Sequence, residues 1–328
     1  NELLLPLTVG AEIVLASREQ AADGLALRDL IVDSRATILQ ATPATWHMLI
    51  EAGWKGAPHF TALCGGEALS PDLAEKLIRR TGALWNMYGP TETTVWSTCA
   101  RIANAQAITI GRPIANTTVH ILGDGMQPLP IGVPGEICIG GDGVTLGYLN
   151  RPELTADRFA PDDQSVRKSG RLYRTGDRGR WRNDGSLEHM GRLDFQVKVR
   201  GYRIELGEIE ACCQQHPTVM QSVAMAREDR PGDVRLVVYV VIQPTAEFNE
   251  SDIKGHLKAQ LPMYMLPSHI LQLDRMPLLP NGKVNRKALP SPTASSSSMA
   301  GYTAPGSDIE KAIATEMEAC LGLPGIGI

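Results

Sequence analysis

The chain has 328 residues, 43% of them hydrophobic, and a net charge of −4. This length and apolar content favour one large domain plus a smaller one, and the lack of a basic excess argues against a nucleic-acid partner. The six cysteines form no Cys-x-x-Cys pair, so neither a zinc site nor a disulfide framework is predicted. With no apolar run of membrane-spanning length, we expect a cytoplasmic protein without a membrane partner.

The first part of the chain alternates predicted strands and helices. We predict a buried helix end at 3–7 and a strand at 13–15, then a helix at 25–31. Thr42-Pro43 and Ser70-Pro71 are typical helix starts, and short strands are predicted at 38–40, 61–64 and 83–85. This alternation predicts a parallel α/β sheet, with binding sites just beyond the carboxyl ends of its strands.

After Arg101 the sequence favours β-structure, with strands predicted at 119–122, 136–139 and 171–173. Alternating apolar residues then predict a hairpin around Gly201, followed by a helix to about residue 216. Strands at 222–226, 235–242 and 270–273 and a helix at 251–261 indicate a compact α+β domain. Residues 291–306, rich in Ser, Ala, Pro and Gly, are typical of a linker, and Ser307-Asp308-Ile309-Glu310 is a helix capping box.

Four motifs carry a resemblance to a known family. Residues 191–210 read Gly-Arg-Leu-Asp-Phe-Gln-Val-Lys-Val-Arg-Gly-Tyr-Arg-Ile-Glu-Leu-Gly-Glu-Ile-Glu, 86–92 Asn-Met-Tyr-Gly-Pro-Thr-Glu, 173–177 Tyr-Arg-Thr-Gly-Asp and 281–283 Asn-Gly-Lys. Taken singly, these residues are typical of turns and surface charges. As an ordered set they resemble the adenylation domains of nonribosomal peptide synthetases, within the adenylate-forming superfamily.

The resemblance implies the domain organisation. Residues 1–193 would be the C-terminal part of a large α/β subdomain with parallel sheets and a β-rich subdomain, truncated at its N-terminus, and Asp194 would be the hinge. Residues 194–290 would form a small mobile α+β subdomain, 291–306 a linker, and 307–328 the first helix of a truncated peptidyl carrier domain.

The resemblance also implies the reaction and its cofactors. An amino acid or related carboxylic acid would attack Mg-ATP to give an acyl-adenylate, and the acyl group would pass to a phosphopantetheine thiol on a downstream carrier domain whose serine is not in this chain. The partners would be that carrier domain and neighbouring synthetase modules. An acyl-CoA or aryl-acid ligase of the same superfamily and a non-catalytic nucleotide-binding fragment remain alternatives.

Residue roles follow from the matched motifs. Lys283 would bridge carboxylate and phosphate during adenylation, and Lys198 would serve the later thioester-forming conformation. Glu92 would hold Mg²⁺, which prefers oxygen ligands. The other residues expected to act in catalysis or to contact the nucleotide are Thr91, Arg192, Gly65, Gly66, Glu67, Ala68, Asn86, Tyr88, Gly89 and Asp177, the last of these at the ribose hydroxyls.

The expected side-chain pocket is largely apolar. Alignment with the family places in it Asn1, Ala41, Leu63, Gly65, Met87, Val95 and Trp96. The acidic residue that usually grips the substrate amino group lies upstream of Asn1, as does the Gly/Ser/Thr-rich phosphate loop. The identity of the acid is therefore open, and we expect this chain alone to be inactive or nearly so. No role is assigned to His189, which stands where the family often has an aromatic residue.

Overall fold

The structure is a computed structural model that describes residues 3–162, 170–194, 196–199, 201–230, 233–279, 284–292, 304–321 and 327. The chain divides into two compact units, Asn1–Ile204 and Glu205–Ile328. No helix in the described part of the chain is long and apolar enough to cross a membrane.

The first unit begins with alternating helices and strands, as the sequence predicts. Their bounds are α1 (Leu5–Thr8), α2 (Arg18–Ala22), α3 (Gly24–Asp33), β1 (Ile38–Ala41), α4 (Pro43–Glu51), β2 (Ala57–Gly65), α5 (Pro71–Ile78), β3 (Thr81–Tyr88), β4 (Thr98–Arg101) and β5 (Arg112–Pro113). The sheet order is β1-β2-β3-β4-β5. The predicted parallel sheet is confirmed for β1, β2 and β3, whereas β4 and β5 pair antiparallel.

Helix caps and apolar packing stabilise the first sheet and the helices that cover it. The Thr42 and Ser70 side chains accept hydrogen bonds from the third backbone N–H of α4 and of α5, the usual arrangement of an N-cap. The helices bury apolar faces against the sheet, with Trp46, Leu73 and Leu77 fully buried. The helices and the sheet therefore share one apolar core.

A second sheet follows in the same unit, with strand order β10-β9-β7-β6 and β8 paired to β9. Its elements are β6 (Thr117–Leu122), β7 (Gly135–Gly141), α6 (Pro152–Arg158), β8 (Phe159–Pro161), β9 (Arg171–Trp181) and β10 (Leu187–Arg192). All of its pairings are antiparallel. This sheet corresponds to the expected β-rich subdomain, although β9 is far longer than the predicted 171–173.

The predicted hairpin is present as β11 (Val197–Val199) and β12 (Tyr202–Ile204), which pair antiparallel. Gly201 lies between them with a φ of +80°, a left-handed conformation that glycine adopts without strain. The hairpin belongs to the first compact unit. The expected domain border and hinge at Asp194 remain predictions.

The second unit contains a mixed sheet with helices. Its elements are α7 (Leu206–Gln214), β13 (Val219–Arg230), β14 (Asp233–Ile242), α8 (Glu250–Gln260), β15 (His269–Gln272) and α9 (Asp308–Leu321). Strand β14 is central, antiparallel to β13 and parallel to β15. In front of α9, the Glu310 N–H bonds the Ser307 hydroxyl and the Ser307 N–H bonds the Glu310 carboxylate, so the predicted capping box is present.

One prediction is wrong at the start of the chain. Residues 13–15 form no strand, and residues 3–7, expected to be buried, are mostly exposed: Leu4 is 75% exposed and Leu15 73%. An apolar run predicts a strand only when a neighbouring strand can pair with it, and among the described residues no strand pairs with this stretch. The proposed linker lies mostly outside the described residues.

Candidate functional site

The site centres on the end of β3, where Tyr88 meets the second sheet. The Tyr88 hydroxyl donates a 2.6 Å hydrogen bond to Oδ2 of Asp177, 89 residues further along the chain. Both side chains are buried. Burial, together with the Asp177 charge, raises the pKa of Tyr88 well above its ordinary value, so the phenol stays protonated and remains a donor.

Asp177 lies on β9 and has further donors at its other oxygen. Arg192 Nη1 is 2.9 Å and His189 Nε2 is 3.4 Å from Oδ1. Burial opposes ionisation, but the contact and charge of His189 and the charge of Arg192 outweigh it and hold the pKa of Asp177 below its usual range. The structure therefore places a carboxylate that stays ionised in a buried position, as a group that accepts hydroxyl protons requires.

Arg192 links this carboxylate to the expected hinge residue. Its Nε and Nη2 atoms bond the two oxygens of Asp194 at 2.6 and 2.7 Å, a bidentate geometry that is among the stronger charge-assisted contacts. Despite partial burial, this contact holds the pKa of Asp194 below its ordinary value. Arg192 thus connects the side chains of Asp177 and Asp194.

Glu92, the expected magnesium ligand, lies on a 3₁₀ turn just after β3 and is only 8% exposed. Its Oε1 accepts a 2.6 Å bond from the Tyr148 hydroxyl, and Nη1 of Arg203 lies 2.9 Å from both Oε1 and Oε2. Burial opposes ionisation, but the Tyr148 hydrogen bond and the Arg203 charge hold the pKa of Glu92 below its usual range. As placed here, both oxygens of the carboxylate accept protein donors, and the residues around it do not fit a magnesium ion. Within the described residues no cluster of three His, Cys, Asp or Glu could hold a metal.

The remaining nucleotide-site candidates line the ends of β2 and β3. Thr91 and Ala68 are exposed, whereas Asn86 is buried and donates its side-chain amide to the carbonyl of Thr109. A Cβ on Gly89 would lie 2.4 Å from the Val95 carbonyl, so only glycine fits there. The structure therefore gives Asn86 and Gly89 architectural contacts, while Thr91 is free to meet solvent or a ligand.

The pocket candidates gather only in part. Leu63, Gly65 and Met87 share one face of the sheet by register, and a Cβ on Gly65 would lie 2.5 Å from Cη2 of Trp96. Val95 is 43% exposed. Ala41 pairs with Cys64 and lies on the opposite face, in the apolar core. The structure does not bring Ala41 to the face that Leu63, Gly65 and Met87 share.

The hairpin lies against this same edge of the first unit. The Gly201 N–H donates a 2.5 Å hydrogen bond to Oε1 of Glu67. Lys198 is half-buried, and its burial lowers the pKa of its ammonium even though the charges of Asp177 and Glu67 oppose this. Burial raises the pKa of Glu67, partly offset by the Gly201 hydrogen bond and the Lys198 charge. Lys198 and Glu67 are thus brought to the crevice that holds Asp177.

Two expected site residues, Asn1 and Lys283, lie outside the described residues. Sequence reasoning also missed several members of the site. Tyr148 and Arg203 bond Glu92, the Tyr173 hydroxyl lies 3.3 Å from Nη2 of Arg203, and His189 lies against Tyr88 with ring centroids 5.8 Å apart. The matched motifs contain Tyr173 and Arg203, so the signal was present without an assigned role.

Comparison with known proteins places this geometry in a family. The AMP-binding enzyme family matches residues 1–149, and the AMP-binding enzyme C-terminal domain matches residues 208–283. These matches together span more than half of the chain. The chain belongs to the AMP-binding enzymes. It is therefore a member of the adenylate-forming ligases, as its motifs predict.

The relatives of this AMP-binding enzyme are peptide synthetases. The chain is 44% identical to the dimodular nonribosomal peptide synthase of Bacillus subtilis (strain 168), with all of the chain and 14% of the relative covered. It is 41% identical to tyrocidine synthase 2 of Brevibacillus parabrevis, with 97% of the chain and 9% of the relative covered. The resemblance to nonribosomal peptide synthetases is confirmed, and the chain spans a small part of these curated relatives.

Solved structures agree with the fold. Holo-AB3403, a four-domain nonribosomal peptide synthetase bound to AMP and glycine, is 46% identical, with all of the chain and 24% of that protein covered and a TM-score of 0.58. Holo-PA1221, which contains adenylation and PCP domains bound to a vinylsulfonamide inhibitor, is 30% identical, with 81% of the chain and 46% of that protein covered and a TM-score of 0.69. The predicted α/β fold class of the adenylate-forming enzymes is confirmed.

Proposed function

We propose that this chain forms part of an adenylation domain that activates an amino acid, or a related carboxylic acid, with ATP. The acid oxygen attacks the α-phosphate, an acyl-adenylate forms and pyrophosphate leaves. The observation that carries the proposal is the buried 2.6 Å contact between Tyr88 and an ionised Asp177, with Arg192 2.9 Å away. Two distant motifs thus form one polar crevice at the end of a parallel strand, where α/β sheets bind ligands.

Each described residue in the crevice has a chemical task in this proposal. Tyr88 and His189 supply flat surfaces for the adenine, and Asp177 accepts protons from the ribose hydroxyls. Thr91, which is exposed, offers a hydroxyl to phosphate oxygens, and Arg192 neutralises their charge. Positioning and charge stabilisation of this kind supply most of the rate enhancement in phosphoryl and related transfers.

The second step of the proposed reaction passes the acyl group to a carrier-domain phosphopantetheine thiol. The half-buried Lys198 supports this step, because the hairpin that carries it lies against the crevice through the Gly201 contact to Glu67. A hairpin in this position brings Lys198 close to the charges of Asp177 and Glu67. We propose that Lys198 serves thioester formation and that Lys283 serves adenylation.

The acid would bind beside β2 and β3. Gly65, Met87 and Trp96 form a tight apolar wall there, since the indole reaches the backbone of Gly65. An apolar wall favours a substrate with an apolar side chain. The identity of the acid is left to experiment.

The decisive experiment is substrate-dependent ATP–pyrophosphate exchange. It uses the protein extended upstream over the phosphate loop that the resemblance implies, with a panel of amino acids and their 2-hydroxy and 2-keto analogues. We expect exchange with one acid and its loss in Lys283→Ala. If a folded protein that binds ATP shows no exchange with any acid of the panel, a non-catalytic nucleotide-binding role would be favoured.

A second assay separates the peptide synthetase from a coenzyme A ligase. Transfer of the activated acid is measured with a carrier-domain thiol and with free coenzyme A as acceptors. We expect transfer to the carrier, and we expect Lys198→Ala to slow transfer far more than exchange. Faster transfer to coenzyme A would identify the ligase alternative.

A further inference from the structure

Two successive residues between β3 and β4 have left-handed backbones, although neither is glycine. Thr94 has a φ of +62° and Val95 one of +73°, and a positive φ is a marked outlier for a residue branched at Cβ. The Trp96 N–H bonds the Thr94 carbonyl at 3.0 Å, which closes a three-residue turn on Val95. Such a turn is rare and strained when its central φ is positive. The segment 94–96 therefore holds backbone strain.

The strained turn sets the position of Trp96, a member of the proposed pocket. A Cβ on Gly65 would lie 2.5 Å from Cη2 of the indole, so the ring lies directly on the backbone of β2. The carbonyl of Val95 lies against Gly89 in the same way, 2.4 Å from the position of an added Cβ. A small change in the turn would therefore move the indole and alter the width of the pocket.

A buried pair of hydroxyls spans the strained residues. Oγ1 of Thr93 and Oγ of Ser97 are 2.6 Å apart, and these residues are 3% and 0% exposed. The Thr93 hydroxyl donates its one proton to the Pro90 carbonyl at 3.2 Å, so the Ser97 hydroxyl is the donor within the pair. The backbone N–H of Ser97 bonds the Tyr88 carbonyl at 2.8 Å. This hydroxyl relay, from Ser97 through Thr93 to Pro90, thus joins the two ends of the turn.

Strained backbone persists only where the surrounding structure over-determines it. Here the hydroxyl relay acts on the inner side of the turn. On the outer side, the Thr94 hydroxyl donates a 2.7 Å bond to the Gly143 carbonyl. The relay is buried whereas Thr94 is exposed, and hydrogen bonds are stronger where water is excluded. The relay is therefore the main restraint on the turn.

We propose that Ser97 is a positioning residue for substrate selection. Its hydroxyl holds the strained turn through Thr93, and the turn in turn holds Trp96 against Gly65. This inference rests on the proposed function, which places the acid beside that apolar wall. Without the Ser97 hydroxyl the turn relaxes, the indole gains freedom, and the pocket admits acids that are longer by a methylene group.

The first test measures selectivity in the upstream-extended protein. ATP–pyrophosphate exchange gives kcat/KM for the preferred acid and for its analogue with one more methylene group. Ser222→Ala is the matched control, because Ser222 is a buried serine of the second unit whose hydroxyl bonds the Glu210 carbonyl at 2.9 Å. The ratio of the two kcat/KM values should fall by about fivefold or more in Ser97→Ala. It should stay at the wild-type value in Ser222→Ala and in Thr93→Ser, which keeps both hydroxyls of the relay. An unchanged ratio in Ser97→Ala would overturn the proposal.

A second test follows the turn without any acid. Amide hydrogen exchange at Trp96 reports the bond that closes the turn. Loss of one buried hydroxyl bond should speed this exchange by about fivefold in Ser97→Ala, and Ser222→Ala should leave it at the wild-type rate. Equal rates in all three proteins would show that the relay does not hold the turn.

A third test measures the strain itself. Glycine adopts the φ of Val95 without strain, so Val95→Gly should raise the equilibrium constant for folding by about fivefold in urea unfolding. Val133 is the matched control, since it is 41% exposed, against 43% for Val95, and its φ is not positive. Val133→Gly should lower the constant. Equal losses in the two variants would contradict a strained turn at Val95.

Amide exchange and unfolding involve no substrate, so they separate the two proposals. If the wild type lacks ATP–pyrophosphate exchange, the proposed reaction fails, while faster amide exchange in Ser97→Ala would still support the positioning of Trp96. An active enzyme whose selectivity and amide exchange are both unchanged in Ser97→Ala would overturn only the role of Ser97.

Discussion

Replacing Gly65 with alanine would insert a methyl group into the tightest contact of the proposed substrate pocket. The added Cβ would lie 2.5 Å from Cη2 of Trp96 and 2.7 Å from the backbone carbonyl of Met87. The indole could rotate away, but the carbonyl belongs to the neighbouring strand, whose spacing is fixed by the sheet hydrogen bonds. Overpacking of this kind typically costs about 1–3 kcal/mol of unfolding free energy.

Two glycines separate this steric effect from backbone strain. Gly66 and Gly132 have φ angles of +89° and +86°. The nearest atom to an added Cβ would lie 3.6 Å away at Gly66, and no atom would lie within 4 Å at Gly132. Alanine there should cost about 1–2 kcal/mol through the left-handed conformation alone. Gly65 is not among the glycines with positive φ, so the unfolding free energy lost in Gly65→Ala reports the steric contact and not backbone strain.

The assay is urea unfolding of the upstream-extended protein, followed by tryptophan emission. All five tryptophans of the present chain precede residue 205, so the signal from this part of the protein reports the first unit. Gly65→Ala should also lower exchange activity most for the bulkiest acids of the panel. A loss of stability below about 0.5 kcal/mol, the range of neutral surface changes, would refute the packing of Trp96 on Gly65.

Three further predictions follow from the polar contacts. Tyr88→Phe should lower the unfolding free energy by about 1.5–3 kcal/mol, the usual contribution of a hydrogen bond to a charged group. The same urea assay measures this change, and unchanged stability would contradict the buried contact to Asp177. The pKa of Asp177 in the folded protein lies below the ordinary value of about 3.9 for an unfolded chain. Between the folded and unfolded pKa values the unfolded chain therefore binds more protons than the folded one. The stability that ionised Asp177 confers is thus lost as the pH falls from the unfolded pKa through the folded pKa. Unfolding midpoints measured from pH 6 to 3 should therefore decline less steeply in Asp177→Asn than in wild type, and parallel curves would disprove the assignment. Ser307→Ala should destabilise the start of α9 by about 0.5–2 kcal/mol, seen as faster amide exchange at Glu310, whereas protection equal to wild type would show that the capping box contributes nothing.

The sequence predicted the local features of the fold well, because those depend on neighbouring residues. The caps at Thr42, Ser70 and Ser307 and the parallel pairing of β1 to β3 follow from turn chemistry and apolar periodicity. The turn at Gly201 follows in the same way. The extent of β9 did not follow, because pairing with three other strands extends it beyond its apolar start.

The site was harder to predict than the fold. Its motifs indicated Tyr88, Asp177 and Arg192, and the structure brings these together. The partner of Glu92 depends on where a hairpin 111 residues away comes to lie, which no local pattern encodes. The face on which Ala41 lies depends on strand register, since a shift of one residue moves a side chain to the other side of a sheet.

The outer edge of the first sheet has a consequence for handling this protein. Strand β1 pairs with β2 on one side, and no other strand pairs with it among the described residues. Ile38, at its start, is 61% exposed. Unpaired edges are templates for edge-to-edge association between molecules, so any self-association of this sheet should run through β1, and the four-residue length of β1 should keep it weak. The substitution Ile38→Lys should suppress that association without disturbing the crevice, because charged side chains on an edge strand oppose pairing.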